Sequence, residues 1–120
     1  MSIDEKLSAT ADLLAEGWRL NHFTKKLADV ADDNLRKKIS NAVTRFDKKL
    51  STAANIFGLE VVDFTGKEFD TGLPIAPINL ADFVADDSLI VAAMIEPTIK
   101  IAGSATIVKC GAAVLRRLDK

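Results

Sequence analysis

One cysteine, one histidine and no tyrosine form a thin chemical inventory for a chain of 120 residues. Cys110 has no internal disulfide partner, so the fold cannot rest on covalent cross-links, and the unpaired thiol agrees with a reducing compartment. No second cysteine or histidine stands near it in sequence, so a small buried apolar group is expected there rather than a reactive thiol. His22 lies among polar neighbours on an expected helix, without the companions a metal site needs, and reads as a surface or interface histidine. Hydrolytic and acid-base mechanisms require a nucleophile, a base and an orienting group within reach. With so few such residues no enzyme activity, no cofactor and no metal centre are expected.

Long apolar runs are also missing. The longest, around Leu89 to Ile95 and Ile101 to Val108, are short and interrupted, so no membrane span is expected. Met1-Ser2-Ile3-Asp4-Glu5 lacks a cationic start followed by an apolar block, so no export segment is expected and the cytoplasm is the expected compartment. The formal net charge of -1 provides no global field to attract nucleic acid. Arg36, Lys37 and Lys38 could track phosphates on a helix face, but Asp29, Asp32, Asp33 and Asp47 interrupt the basic surface, which reads as solvated and salt-bridged. Between Gly66 and Gly72 the lysine follows the first glycine and no Lys-Ser/Thr follows the second, so this is not a phosphate loop. Asp63, Asp70, Asp82, Asp86 and Asp87 sit in turn-like sequence, where carboxylates cap backbone amides, and their spacing is not that of a calcium loop.

What the chain does have is patterning. Hydrophobic residues make up 48% and charged residues 28%, and the apolar positions recur at regular intervals, which argues against disorder. Ser2 followed by Glu5 reads as a capping box, and Ile3, Leu7, Ala11, Leu14 and Trp18 define one amphipathic helix. Gly17 and the Asn21-His22 pair predict a bend or short break near residues 17 to 22. The apolar series then continues through Leu20, Phe23, Leu27, Val30, Leu35, Ile39, Phe46, Leu50 and Phe57. Its one irregular step is at Asp32-Asp33-Asn34, three poor helix formers that make either a turn between two helices or a new N-cap.

This stripe is narrow and basic residues flank it, so a partner helix has to cover it. A dimeric bundle does so symmetrically, with Leu20, Phe23, Leu27, Leu35, Ile39, Phe46 and Leu50 as the dimerisation residues. At Gly58 the period changes: a glycine after Phe57 is where a left-handed helix terminator belongs, and Leu59 to Phe64 is β-branched and alternating. Strands are expected near Leu59 to Phe64, Ile75 to Ala81, Leu89 to Ile95, Thr98 to Ile101, Thr106 to Val108 and Ala112 to Leu115, with Asp82 to Ser88 as an acidic connection. Leu89 to Met94 is alternatively a buried helical turn. Pro74, Pro77 and Pro97 confine their neighbours to extended or edge conformations. The expected class is α+β, with a helical dimerisation arm over residues 1–57 and a small all-β domain over residues 58–120.

The run from Phe57 to Gly72 resembles the segment where the dimerisation helix of GrpE-type nucleotide exchange factors enters its β domain. There a helix is followed by Gly-Val/Leu-Glu, here Gly58-Leu59-Glu60, then a strand, then a Gly-x-x-Phe/Tyr-Asp turn, here Gly66 to Asp70. Met94 to Ile99, with Gly103, Ile107, Gly111 and Val114, is similar to the closing strands of divergent members. Glu96-Pro97-Thr98-Ile99 stands where typical members have Gln-x-Gly-Tyr. The resemblance implies an elongated homodimer that docks on the ATPase domain of a DnaK-type chaperone and promotes ADP release. It places Gly58, Glu96, Pro97, Lys109 and Arg116 near the chaperone, although Gly58 reads equally well as a helix stop. The competing expectation is a homodimeric scaffold of the same architecture with another protein partner.

Overall fold

The computed structural model describes residues 3–118. Helix α1 runs over Ile3–Leu27 and α2 over Asp33–Ile56, with a single 3-10 turn at Ala28–Val30 between them. The strands are β1 (Leu59–Val62), β2 (Ile75–Pro77), β3 (Leu89–Glu96), β4 (Thr98–Ile101), β5 (Ile107–Lys109) and β6 (Gly111–Arg117). Helices followed by small sheets make the chain α+β, and each of the six expected strands is present. The capping box expected at Ser2 lies outside the described residues.

The bend expected near residues 17 to 22 does not occur, because each residue that predicted it is used in packing. Alanine-like bulk at Gly17 would come within 3.0 Å of the Phe46 ring, so the missing side chain lets α2 lie close against α1. Asn21 is buried and donates from Nδ2 to the Val43 carbonyl (3.2 Å) and to Asp47 Oδ1 (2.6 Å), tying the two helices together. Such a bond satisfies a polar group that would otherwise be costly to bury. The other irregular step is a real turn. Asp32 caps α2 by accepting from the Leu35 amide at 2.8 Å. Arg36, although exposed, donates to the carbonyls of Ala28 (2.9 Å) and Ala31 (3.2 Å) and so holds the turn closed. At its far end α2 stops at Gly58, whose φ of +68° is the left-handed conformation that L side chains resist.

Two three-stranded sheets follow, ordered β1-β4-β5 and β2-β6-β3. All neighbours are antiparallel except β2 with β6. Leu89–Glu96 is a strand and not a helical turn: it pairs along β6, with irregularities after Val91 and Met94 that break its simple alternation. Its other edge is closed by the loop after β1, where the Gly66 amide donates to Val91 and the Phe69 amide to Leu89, both at 2.8 Å. The expected strand from Ile75 to Ala81 is cut short at Pro77. Asn79 continues its ladder by side chain, accepting from the Leu115 amide (2.8 Å) and donating to the Leu115 carbonyl (2.9 Å).

The chain passes from one sheet to the other at two adjacent corners, Pro97 between β3 and β4 and Cys110 between β5 and β6. Proline suits such a corner because it cannot continue the ladder. The corners are held together by buried Thr98, whose hydroxyl donates to the Pro74 carbonyl (2.8 Å) and accepts from the Gly111 amide (3.2 Å). A Cβ on Gly111 would meet Thr98 Oγ1 at 2.7 Å and the Glu96 carbonyl at 2.8 Å. Cys110 itself is exposed, not buried as expected, because the chain turns outward there. Gly111→Ala is therefore expected to destabilise by about 1–3 kcal/mol, the range for overfilling a packed site. Gly58→Ala should cost about 1–2 kcal/mol through backbone conformation alone, since nothing lies within 4 Å of its added carbon. Urea unfolding checks both through the midpoint at constant slope.

Candidate protein-contact surfaces

Helix α1 carries two apolar faces. Along the inner face Leu7, Ala11, Leu14 and Ala15 lie on the β1-β4-β5 sheet, in one core with Leu50, Ala53 and Ala54 of α2 and Leu59, Ile99 and Val108 of the strands. One turn further, Trp18 joins the second core, where Ile75, Leu89, Val91, Met94, Ala113 and Leu115 are covered by Phe64, Phe69, Leu73 and Phe83. The helices and strands thus share a core, and the first half of α1 lies across the sheet module instead of extending away as an arm. Between Trp18 and Leu20 the apolar residues change face on one continuous helix.

The outer face is open. Leu13 is 74% exposed, Leu20 68%, Phe23 58% and Val30 85%, values unusual for side chains of this size placed so close together. Of the expected dimerisation residues, Leu20, Phe23, Leu27, Leu35 and Phe46 are exposed. Ile39 and Leu50 are less open. Ile39 is half-buried beside Ala28 and Val43 in the angle of the hairpin, and half-buried Leu50 belongs to the first core. Both cover surface of their own chain, Leu50 on the sheet-facing side of α2 and Ile39 where α2 meets the turn after α1. Leu13 was missed because its neighbours Leu14 and Ala11 belong to the other stripe.

Two of the four residues expected near a partner on the final strands are turned toward α1. Glu96 is 3.4 Å from Arg19 and Lys109 is 3.1 Å from Asp12. Asp12, by accepting from the Lys109 ammonium, raises its pKa above the ordinary lysine value, against a smaller opposing effect of desolvation. These pairs lie at the surface, where each contributes roughly 0–1 kcal/mol. Pro97 is fully buried and presents nothing to a partner, which corrects its placement there. Arg116 is exposed at the end of β6, and Gly58 is exposed at the end of α2.

Asp63, Asp70 and Asp87 do cap turn amides, those of Thr65 (2.9 Å), Gly72 (2.7 Å) and Val84 (3.0 Å). Among the described residues no group of three or more His, Cys, Asp or Glu is placed to hold a metal ion. Among them, too, no helix is long and apolar enough to cross a membrane. Comparison with protein-family models, curated proteins and solved structures gives no match for this chain.

His22 stacks on Trp18, one helical turn back, with ring centroids 4.5 Å apart and planes 10° from parallel. Desolvation and the nearby Lys26 lower its pKa below 6.5, with Asp63 and Asp47 opposing. A depressed folded-state pKa means the unfolded chain binds the proton first, so this contribution to stability is complete above pH 6.5 and lost as the pH falls below that value. Because Trp18 and His22 are the only residues of their kinds, the tryptophan emission should titrate with a midpoint below 6.5, and His22→Gln should abolish the transition.

Proposed function

We propose that this chain is a homodimeric co-chaperone of the GrpE type. Two copies pair along the outer face of α1, and each sheet module engages the ATPase domain of a DnaK-type chaperone in the cytoplasm so that ADP leaves. The pairing rests on one observation. Leu13, Leu20 and Leu27 recur every seven residues along α1, with Phe23 on the adjoining row and Val30 following in the 3-10 turn, all in contact with water. A seven-residue repeat of large apolar side chains is the pattern that lets two helices interlock along a continuous seam. Burying each such side chain is worth roughly 1.5–3 kcal/mol.

The choice of partner rests on the resemblance, and the residues that carry it shape the sheet module. Gly58 turns α2 into β1, while Gly66 and Phe69 bind the edge of β3. In this reading the chain makes and breaks no bond. It binds the open, empty chaperone better than the closed, nucleotide-filled one, and by linkage each ligand weakens the other equally. A homodimeric scaffold with a different protein partner is favoured by one observation. Glu96, Pro97 and Lys109, three of the five residues the resemblance gives to the chaperone, are buried or bonded to α1.

The pairing predicts twice the monomer mass in sedimentation equilibrium. Leu20→Asp with Phe23→Asp should weaken it by at least 100-fold, as the loss of two anchors at ~1.5–3 kcal/mol each implies. Circular dichroism should show unchanged helix content, since neither side chain supports the protomer's core. The exchange role predicts accelerated release of labelled ADP from a DnaK-type chaperone. A normal dimer that leaves the release rate unaltered at saturation would replace the co-chaperone reading with the scaffold.

A further inference from the structure

The acids expected to interrupt the basic surface of α2 are drawn off it in the folded chain. Asp32 accepts from the Leu35 amide as the N-cap, Asp33 pairs with Arg36 at 3.5 Å, and Asp29 sits in the 3-10 turn ahead of the helix. Asp47, the one acid between Lys37 and Lys49, is bonded by Asn21 of α1. Lys37, Lys38, Arg45, Lys48 and Lys49 remain. All five are exposed, and among the described residues none of them forms an ion pair.

Helix geometry orders these five. Lys37 and Lys48 form one row and Lys38 and Lys49 a second, about 100° away around the axis, each row about 16 Å long. Between the rows runs a ridge of Asn34, Asn41, Arg45 and Thr52. It lies opposite Val43, Leu50 and Ala54, which meet α1 and the first sheet. From Asn34 to Thr52 no apolar or aromatic residue falls between the two rows. Outside α2 the chain has ten Lys and Arg against fifteen Asp and Glu, so positive charge is concentrated on this one helix.

We propose that α2 binds duplex DNA, with its polar ridge in the major groove and its two lysine rows on the phosphates at either side. The make-up of the face selects this occupant. A protein partner is held mainly by aromatic and apolar anchors, an anionic membrane by apolar side chains that enter it, and an unpaired strand by aromatic rings that stack on its bases. This face has none of these. Phosphate binding needs only positive charge, because the affinity comes from the counterions released. The major groove of B-form DNA, about 12 Å wide, admits a helix, whereas that of A-form RNA is deep and narrow. The acidic excess elsewhere in the chain is repelled by phosphate, which confines the contact to α2. The α1 seam is a different surface, so DNA binding stands apart from both readings of function.

The probe is a fluorescein-labelled DNA duplex of mixed sequence and about 20 base pairs, titrated with the full chain at about 50 mM salt and followed by anisotropy. Saturable binding is expected. A plot of log Kd against log salt should rise with a slope of about 4 to 5, as five neutralised phosphates imply. Lys37→Gln with Lys48→Gln should lower that slope by about 2. Lys67→Gln, a charge loss in the loop beside β3, should leave it unaltered. The slope is read on the unmutated chain, which keeps the test decisive if a variant does not fold. The proposal is overturned by no saturation up to about 100 μM, the weak end of non-specific binding, by a slope under about 2, or by a slope that Lys37→Gln with Lys48→Gln does not change. Equal or tighter binding to a single strand, to an RNA duplex of the same length or to phosphatidylserine vesicles would overturn it as well.

Discussion

Leu14 and Ala15 of α1, closed against Leu59 and Ile99 with almost no exposure, fix where everything else in the molecule can be. Their burial lays the first half of α1 across the β1-β4-β5 sheet. Because a helix side chain can serve only one side, the same burial leaves Leu13, Leu20, Phe23 and Leu27 on the water side. It brings Arg19 and Asp12 over Glu96 and Lys109, and it sets Trp18 over the second sheet. The hairpin turn and the Asn21 bonds to Val43 and Asp47 then hold α2 parallel to this frame, which leaves its opposite side to solvent.

The consequence is a division of labour between faces rather than between domains. A boundary at residue 57 or 58 is a sound description of the secondary structure, since α2 ends and β1 begins there. The core does not respect it: seven of the twelve residues that form the first core come from the helices. Of the polar residues on the closing strands, Glu96 and Lys109 pair with Arg19 and Asp12 of α1. The apolar surface this frame leaves open is the outer face of α1.

The corners at Pro97 and Cys110 show the same economy at smaller scale. Two sheets of three short strands would each be marginal alone, and they become one unit because the chain crosses between them twice at neighbouring points. The crossing is tight enough that only a glycine fits at position 111, against the Glu96 carbonyl and Thr98. Thr98, Asn79 and Asn21 each complete a bonding pattern that the backbone leaves unfinished. Such residues were invisible to pattern reading, which treats an isolated polar residue as turn or surface.

Periodicity, turn chemistry and β-branching are local, so the sequence alone was enough for the α+β class, the helix stop at Gly58, the irregular step at Asp32 to Asn34 and the placing of six strands, but not for the continuity of α1 through residues 17 to 22. The same locality explains the errors. Gly17, Asn21 and His22 weaken an isolated helix, yet here they serve a neighbour: Gly17 admits the Phe46 ring, Asn21 bonds α2 and His22 stacks on Trp18. Which apolar stripe faces inward depends on what lies opposite it, and that is set by contacts between residues far apart in the chain. Leu50 and Ile39 could not be told from Leu20 and Phe23 by spacing, because the four differ only in what the folded chain places against them. That the lysine rows of α2 stand clear of acid likewise depends on Asp47 meeting Asn21 of α1, a contact that exists only once the two helices have closed on each other.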